Sequence, residues 1–276
     1  MKTFYTKKYA KQGRQLPCFC FRSVDSTNTV ARAFVAERSR GVFAVISREQ
    51  TAGRGRYGRK FLSLADRGTF VTYVRPVGKD TDAAPLGALC ALAVRQTLAE
   101  FFGIDALLKW PNDVLADGRK ICGILPECVF GKDGVRFVFL GIGVNLFYTE
   151  EELGDLHDIA TSATLLCADK DLKCSYCKNR AKTLIDFGIR VAQLCDELCE
   201  QYESSPEELW ERYSASLVTL GKTVSFTAED GTRCVGKAVA VRNDGALATE
   251  CVDGVHFVRW GEVTQCFPED SESGAE

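Results

Sequence analysis

Residues 48–60 place glycines and cationic side chains together in one short segment. The segment holds three glycines, five cationic side chains and one carboxylate, and it follows an apolar run at residues 42–46. Glycine lets the backbone adopt a positive φ and approach a ligand closely, so that peptide N–H groups can point inward. Arginine adds planar donors that suit phosphate and carboxylate oxygens. The pattern predicts a loop that binds a small anion or, alternatively, a mobile basic loop that contacts nucleic acid nonspecifically.

A second group of charged residues lies around two predicted turns. Lys109 and Asp113 flank a turn that contains a proline, and Lys120 begins the return strand of a hairpin with Asp-Gly at its turn. Alternation along that strand predicts Lys120 and Cys122 on one face. A single sheet would bring this group and the basic loop to one pocket. Several cations with one carboxylate suit phosphoryl chemistry at an α-phosphate, where charge builds on oxygen.

Other catalytic arrangements lack the residues they need. The sequence has no Gly-x-x-x-x-Gly-Lys-Ser/Thr loop, which argues against a P-loop nucleotidase. Its two histidines, His157 and His256, are expected at the surface, so a Ser/His/Asp nucleophile set is not indicated. Ser26 and Thr27 precede a predicted helix that ends at Arg38, where they would either cap the helix or hydrogen-bond a polar ligand.

The chain contains thirteen cysteines. The odd count, the irregular spacing and the lack of a secretory leader predict reduced thiols and a cytoplasmic location. No run approaches the roughly 18 apolar residues of a membrane helix. The spacings of Cys174, Cys177, Cys195 and Cys199 would allow zinc binding. Because Cys195 and Cys199 lie one turn apart beside an apolar helix stripe, packing is favoured over zinc.

Composition and patterning indicate a globular chain with two folded parts. Hydrophobic residues make up 46% and charged residues 26%, and the net charge of −2 argues against a general nucleic-acid binder. Periodicity predicts helices at residues 84–102, 178–202 and 207–214, and strands at residues 18–24, 69–74 and 137–146. Pro76 is expected to end the second of these strands. We predict a larger domain at residues 1–216, a small antiparallel barrel at residues 217–268 and a disordered acidic tail at residues 269–276.

Five segments, taken in order, resemble the motifs of one enzyme family. They are Asp-Ser-Thr-Asn at residues 25–28, Gln-Thr-Ala-Gly-Arg-Gly-Arg-Tyr-Gly-Arg at 50–59, Lys-Trp-Pro-Asn-Asp at 109–113, Arg-Lys-Ile-Cys-Gly-Ile-Leu at 119–125 and Gly-Ile-Gly-Val-Asn at 141–145. Over roughly residues 19–266 the chain resembles biotin protein ligases, also called biotin–[acetyl-CoA-carboxylase] ligases. The resemblance implies an α+β fold. This fold is a class II aminoacyl-tRNA synthetase-like biotinyl/lipoyl ligase domain, with a mixed sheet and helices, followed by a small Src-homology-3-like β-barrel.

The resemblance further implies a two-step reaction. Biotin and ATP, with Mg²⁺, give biotinyl-5′-AMP and pyrophosphate, and the biotinyl group then passes to the ε-amine of one lysine on a biotin carboxyl carrier protein or domain. No side chain is assigned as a metal ligand. Some members carry an N-terminal helix-turn-helix domain. Because about 20 residues precede the first motif here, we expect no such domain and no DNA binding. We also expect no membrane association, and a monomer or weak homodimer.

The motif residues acquire expected roles from the same resemblance. The expected biotin-binding residues are Ser26, Thr27, Asn28, Gln50, Gly53, Arg54, Lys120 and Gly123. The expected ATP- and adenylate-binding residues are Arg54, Arg56, Arg59, Lys109, Asn112 and Asn145. The expected catalytic residues are Lys120, which bridges the biotin carboxylate and the α-phosphate, Arg56, which folds over the adenylate, and Asp113, which handles the proton of the acceptor amine.

Two positions depart from the family pattern, and two other functions stay open. Phe61 stands where the family often has tryptophan, and Tyr57 lies at a position expected to vary. The nearest alternative is a lipoate–protein ligase, although the Gly-Arg-Gly-Arg-Tyr-Gly-Arg loop favours biotin. The alternative from another class is a non-catalytic nucleic-acid-binding or regulatory protein that uses the Arg-Gly loop.

Overall fold

The structure of the chain is a computed structural model, which describes residues 5–11, 14–37, 41–78, 84–130, 136–228, 231–259 and 263–265. Its helices are α1 (Thr27–Glu37), α2 (Ala84–Phe102), α3 (Glu150–Leu153), α4 (Ala163–Leu166), α5 (Lys170–Lys178), α6 (Arg180–Ser204) and α7 (Pro206–Ala215). Its strands are β1 (Tyr5–Lys11), β2 (Arg14–Phe21), β3 (Phe43–Ser47), β4 (Gly68–Val77), β5 (Leu107–Lys109), β6 (Asp113–Ala116), β7 (Arg119–Phe130), β8 (Arg136–Asn145), β9 (Thr223–Thr227), β10 (Arg233–Val241), β11 (Leu247–Cys251), β12 (Gly254–Val258) and β13 (Thr264–Gln265).

The larger sheet has eight strands in the order β1-β2-β3-β4-β8-β7-β6-β5. Strands β2 and β3 pair in parallel, and the other neighbours are antiparallel. The central strands are rich in Val, Ile and Phe, residues that pack well on a pleated surface. The sheet is therefore mixed, as the sequence predicts.

Helices cover both faces of this sheet. Helices α2 and α6 pack together on one face, where side chains such as Ile46, Val71 and Leu140 are buried with them. Helix α1 covers the opposite face, and its residues Val30 and Ala31 are buried with strand residues such as Phe139. Residues of β8 alternate between the two faces, so that Gly141 and Gly143 lie on the α1 side. The residues of the candidate site lie on this side.

Several predicted boundaries are wrong for identifiable reasons. Strand β4 continues through Pro76, which pairs with Phe137 of β8. On the other side of β4, β3 pairs with it only as far as Val74. Pro76 therefore lies where β4 has a neighbour on one side only, and such a position tolerates a proline, which has no backbone N–H to donate. The first predicted strand ends at Phe21 rather than residue 24, and β1 was not predicted. The long helix begins at Arg180, after a separate helix α5.

The second sheet has five antiparallel strands in the order β12-β11-β10-β9-β13. The mixed α+β fold with a small C-terminal β structure is confirmed. In the part of the chain that the structure describes, no pairing joins β12 to β13, so closure into a barrel stays a prediction, as do the domain boundaries. The predicted tail lies outside the described residues. None of the described helices has both the length and the apolar character that crossing a membrane requires.

Candidate active site

A cavity of about 990 Å³ opens on the α1 side of the larger sheet. Seven cationic side chains and three carboxylates belong to the described residues that line it. Of the residues expected to bind ligand or act in catalysis, those that line it are Ser26, Thr27, Asn28, Gln50, Arg54, Arg56, Arg59, Lys109, Asn112, Asp113, Lys120 and Gly123. Segments far apart in sequence thus meet in one cation-rich cavity, an arrangement suited to an anionic ligand.

The basic loop folds into a narrow hairpin. Its backbone closes through Gly55 N–H, which donates to Arg59 O at 2.7 Å, and Phe61 N–H, which donates to Gly53 O at 3.1 Å. The tip is a single 3₁₀ turn at Arg56–Gly58, in which Tyr57 adopts a φ of 54°. A non-glycine residue rarely adopts this left-handed conformation, so the tip is locally strained.

Arg56 connects the tip of this hairpin to the turn between β5 and β6. Its Nη1 donates to Asn112 Oδ1 at 3.1 Å, and its guanidinium lies over the Tyr57 ring, 5.2 Å from the centroid. Asn112 is fixed in turn, because its Nδ2 donates to Ile124 O at 2.6 Å. The arginine is therefore held across the cavity by groups on two separate segments.

Lys120 and Asp113 form an ion pair inside the cavity. Lys120 Nζ lies 2.6 Å from Asp113 Oδ1, and the two side chains are 37% and 24% exposed. The predicted placement of Lys120 and Cys122 on one face is wrong. Between β6 and β7 the register shifts by one residue, leaving Ile121 as an unpaired bulge. The bulge turns Lys120 onto the face of Asp113 and Gly123, whereas Cys122 is fully buried on the other face.

Thr27 holds the side chain of Gln50. The side-chain oxygen of Gln50, Oε1, accepts from Thr27 N–H at 2.8 Å and from Thr27 Oγ1 at 3.1 Å. The side-chain nitrogen of Gln50, Nε2, is thus left to donate elsewhere. A Cβ atom on Gly53 would lie 3.1 Å from that nitrogen and 2.6 Å from Ser63 Oγ. Gly53 lies outside the cavity lining and instead gives Gln50 room.

Asn28 lines the cavity, but its amide is engaged within the protein. Its Oδ1 accepts from the Thr72 hydroxyl, and its Nδ2 donates to Glu127. A Cβ atom on Gly141 would lie 2.8 Å from Asn28 Oδ1. Asn28 thus ties α1 to the sheet beneath the cavity, a role that its place in a motif did not reveal.

Two glycines that pair across neighbouring strands leave space at the base of the cavity for an aromatic ring. Gly123 and Gly143 are opposite one another in β7 and β8, and a Cβ atom on Gly143 would lie 2.6 Å from Cε1 of Phe61. A Cβ atom on Gly123 would lie 3.0 Å from Lys120 Cε. Sequence reasoning missed Gly143 as a site residue. Gly141 and Gly143 are two residues apart in one strand and leave one face of it without side chains, and this spacing could have identified Gly143.

Asn145 does not join the cavity lining. It is buried, and its Nδ2 donates to Thr161 O at 3.1 Å. The segment around Thr161 is itself fixed to β7, because Lys120 N–H donates to Ile159 O and Thr161 N–H donates to Lys120 O. The geometry gives no support to the predicted contact between Asn145 and the nucleotide.

The turn between β5 and β6 is attached to the C-terminal part of the chain through Trp110. The Trp110 backbone N–H donates to Thr219 Oγ1 at 3.0 Å, and its indole Nε1 donates to Gly245 O at 2.9 Å. Val263 also lines the cavity. Residues that follow the larger sheet in sequence therefore help to position Lys109, which lies beside Trp110.

The four cysteines considered as zinc ligands do not form one cluster. Cys195 and Cys199 are buried in the core between α6 and its neighbours, and Cys195 Sγ lies 3.4 Å from Cys90 Sγ. Cys174 is exposed on α5. Burial raises the pKa of the Cys199 thiol, so this group packs as a neutral side chain.

Comparisons with known proteins agree on one protein family. The model of the biotin/lipoate A/B protein ligase family matches residues 20–145. A biotin–[acetyl-CoA-carboxylase] ligase of Mycobacterium tuberculosis is 30% identical over 255 residues, 91% of this chain and 88% of the relative. A bifunctional ligase/repressor BirA of Bacillus subtilis is 31% identical over 221 residues, which cover 79% of this chain but 65% of the relative. The solved structure of an Aquifex aeolicus biotin protein ligase in complex with biotin and ATP is 25% identical. Its TM-score is 0.71, and the match covers 90% of this chain and 97% of that one.

Proposed function

Because the chain belongs to the biotin/lipoate A/B protein ligase family, we propose that it is a biotin–protein ligase that works in the cavity described above. The observation that carries the proposal is the Lys120–Asp113 pair, held beside the Thr27–Gln50 contact in a cavity rich in cations. The cavity lining offers amide and hydroxyl groups, from Ser26, Thr27 and Gln50, as well as positive charge. Biotin has a polar ureido ring at one end and a carboxylate at the other.

In the first step, a carboxylate oxygen of biotin attacks the α-phosphorus of ATP, and the bond to the pyrophosphate oxygen breaks. Both reactants are anions, which repel one another as they approach. Lys120 is placed to lie between them, where its charge offsets that repulsion and the charge that develops on the phosphoryl oxygens. Its backbone is fixed at both its N–H and its carbonyl, and its ammonium group is held by Asp113, so the charge is positioned before substrate binds.

The remaining groups bind the two ends of the intermediate. Gln50 presents its amide nitrogen to the ureido oxygen, with Ser26 and Arg54 beside it in the cavity lining. Arg56, Arg59, Lys109 and Asn112 line the rest of the cavity and are assigned to the phosphate and nucleoside. The Arg56 hairpin covers the mixed anhydride and keeps water from hydrolysing it.

In the second step, the ε-amine of a lysine on a biotin carboxyl carrier domain attacks the acyl carbon, and AMP leaves. A free lysine has a pKa near 10.4, so only about one in 10³ to 10⁴ is neutral at pH 7. Asp113 is our candidate to accept or direct the proton that the amine loses. Its carboxylate has two oxygens, and Oδ1 accepts from Lys120.

Mg²⁺ enters this scheme with ATP. Of the three carboxylates that line the cavity among the described residues, Asp113 pairs with Lys120, Glu127 pairs with Arg32, and Asp158 lies 3.0 Å from His157 Nε2. This suits a cation carried mainly by phosphate oxygens and water. When bound with ATP, the ion would neutralise charge on the leaving pyrophosphate. We assign no side chain as its ligand.

Three further parts of the proposal are the location of the enzyme, its oligomeric state and its partners. We propose a cytoplasmic protein, a monomer or weak homodimer, that binds neither DNA nor membranes. The twelve described cysteines form no disulfide among themselves, which suits a reducing compartment.

Transfer to a carrier domain tests the proposal. The protein, biotin and Mg-ATP are incubated with an apo biotin carboxyl carrier domain, and intact mass is measured. We expect the mass increase of one biotinyl group, none when the acceptor lysine is replaced by arginine, and none with lipoate at the same concentration. A lipoyl adduct instead would assign the chain to the lipoate branch of the family.

A further inference from the structure

Three different metal-ligating side chains meet at one end of the C-terminal sheet. The Sγ of Cys251, a carboxylate oxygen of Asp253 and a ring nitrogen of His256 all lie within 4.8 Å of one another. His256 Nε2 and Asp253 Oδ1 are 2.9 Å apart. None of these three residues lines the cavity.

The β11–β12 hairpin produces this arrangement. Cys251 is opposite Gly254 in β12, and His256 is opposite Thr249, so Cys251 and His256 project from the same face of the sheet. On the other side of β11, Cys251 is opposite Gly236 of β10. A Cβ atom on Gly236 would lie 2.5 Å from Cys251 Sγ. Gly236 therefore leaves the space that the sulfur occupies.

Cys234 lies on the same face, two residues before Gly236 in β10. Because Gly236 is opposite Cys251, Cys234 lies diagonally across the β10–β11 pair from Cys251. Cys234 is opposite Phe226, whose ring centroid is 5.9 Å from that of His256. The three clustered side chains thus offer a sulfur, an imidazole and a carboxylate, and a second sulfur lies diagonally across on the same face.

This set of donors fits one kind of metal ion. Thiolate and imidazole ligands select zinc over magnesium or calcium, which prefer oxygen alone. In a tetrahedral zinc site, with bonds of about 2.0–2.3 Å, the ligand atoms lie about 3.3–3.8 Å apart. Side chains already within 4.8 Å of one another reach those separations by small rotations on a half-exposed surface.

We propose that Cys251, Asp253 and His256, with Cys234 as the fourth ligand, bind one zinc ion. The ion connects β10, β11, β12 and the turn between β11 and β12, segments otherwise joined at this end by sheet hydrogen bonds. Binding releases the thiol protons to solvent, so affinity falls at low pH. The site is structural, because four protein ligands leave no open position for substrate.

Metal content and cobalt spectroscopy test the proposal without reference to ligase activity. The full chain, purified without chelator and equilibrated with zinc, is dialysed, and its zinc is measured by mass spectrometry. We expect about one equivalent in the wild type and at least a tenfold loss in Cys251→Ser and in His256→Ala. Cys128→Ser, which removes an exposed cysteine of β7, is the matched control and should keep the ion.

Cobalt substitution in the wild type needs no variant and therefore does not depend on variant folding. Tetrahedral cobalt bound to thiolate gives a near-ultraviolet charge-transfer band, which we expect in the wild type and in Cys128→Ser. The proposal fails if the wild type lacks that band, or if its zinc content is unchanged by both Cys251→Ser and His256→Ala. Failure would leave the ligase proposal intact, since none of these residues lines the cavity.

Discussion

Replacing Lys120 by alanine should slow the formation of biotinyl-adenylate by about 10²-fold. The side chain is the cation that approaches Asp113 most closely in the cavity, at 2.6 Å, and it lies where two anionic reactants would meet. Its backbone N–H and carbonyl bond to the segment at residues 159–161 and do not depend on the side chain. The variant should therefore fold, and its defect should be chemical.

The magnitude follows from Coulomb's law. A unit charge about 3 Å from a developing negative charge, at an effective dielectric constant of about 20, contributes about 5.5 kcal/mol. Lys120 is 37% exposed, so water supplies part of this stabilisation when the side chain is removed. Taking roughly half of the value leaves about 2.7 kcal/mol, which is about 10²-fold in rate. Removal of other groups that stabilise transition-state charge costs about 10²–10³-fold.

The assay is single-turnover formation of biotinyl-AMP from biotin and Mg-ATP, followed by chromatography. Lys182→Ala is the matched control, because Lys182 also pairs with an aspartate, Asp186, but does so on an exposed helix surface. The control should behave as the wild type. Near wild-type rates in Lys120→Ala, with both substrates saturating, would refute the role assigned to Lys120.

Three further predictions concern other parts of the site. Asp113→Ala should slow transfer from preformed biotinyl-AMP more than it slows adenylate formation; equal effects in single-turnover assays would remove its assigned role in transfer. Gly143→Ala would place a Cβ atom 2.6 Å from Phe61, and overpacking of about 1–3 kcal/mol should weaken biotin binding roughly tenfold. Calorimetry giving an unchanged Kd would contradict this. Trp110→Phe removes the indole donor to Gly245 O and should lower the free energy of unfolding by about 1–3 kcal/mol, measured in urea; an unchanged midpoint would argue against that attachment.

Local patterns were enough to predict many of the regular elements, although not β1 or α5. The period of apolar residues placed α2 at its observed bounds, and the Asp-Gly turn placed the hairpin that carries Lys120. Twelve of the motif residues assigned to the site line the cavity, whereas Gly53 and Asn145 do not. Each of these signals lies within one short segment, where spacing and turn chemistry act directly.

Features that depend on pairing between segments distant in sequence could not be predicted from local sequence patterns. The bulge at Ile121 reverses the expected face of Cys122, and it arises from the register of β7 against β6. Pro76 remains inside a strand because β3 ends before reaching it. Asn145 sits in a motif, yet the loop that carries Thr161 covers it. In each case the deciding contact comes from another part of the chain.

Ligand-dependent exchange between ATP and labelled pyrophosphate tests the central claim most directly. The wild-type protein is assayed with Mg²⁺ and either biotin or lipoate at equal concentration. The proposed function predicts exchange with biotin alone. Exchange with lipoate alone would contradict the choice of substrate, and no exchange with either, in folded protein, would contradict adenylation and favour a non-catalytic protein that uses its basic loop for binding.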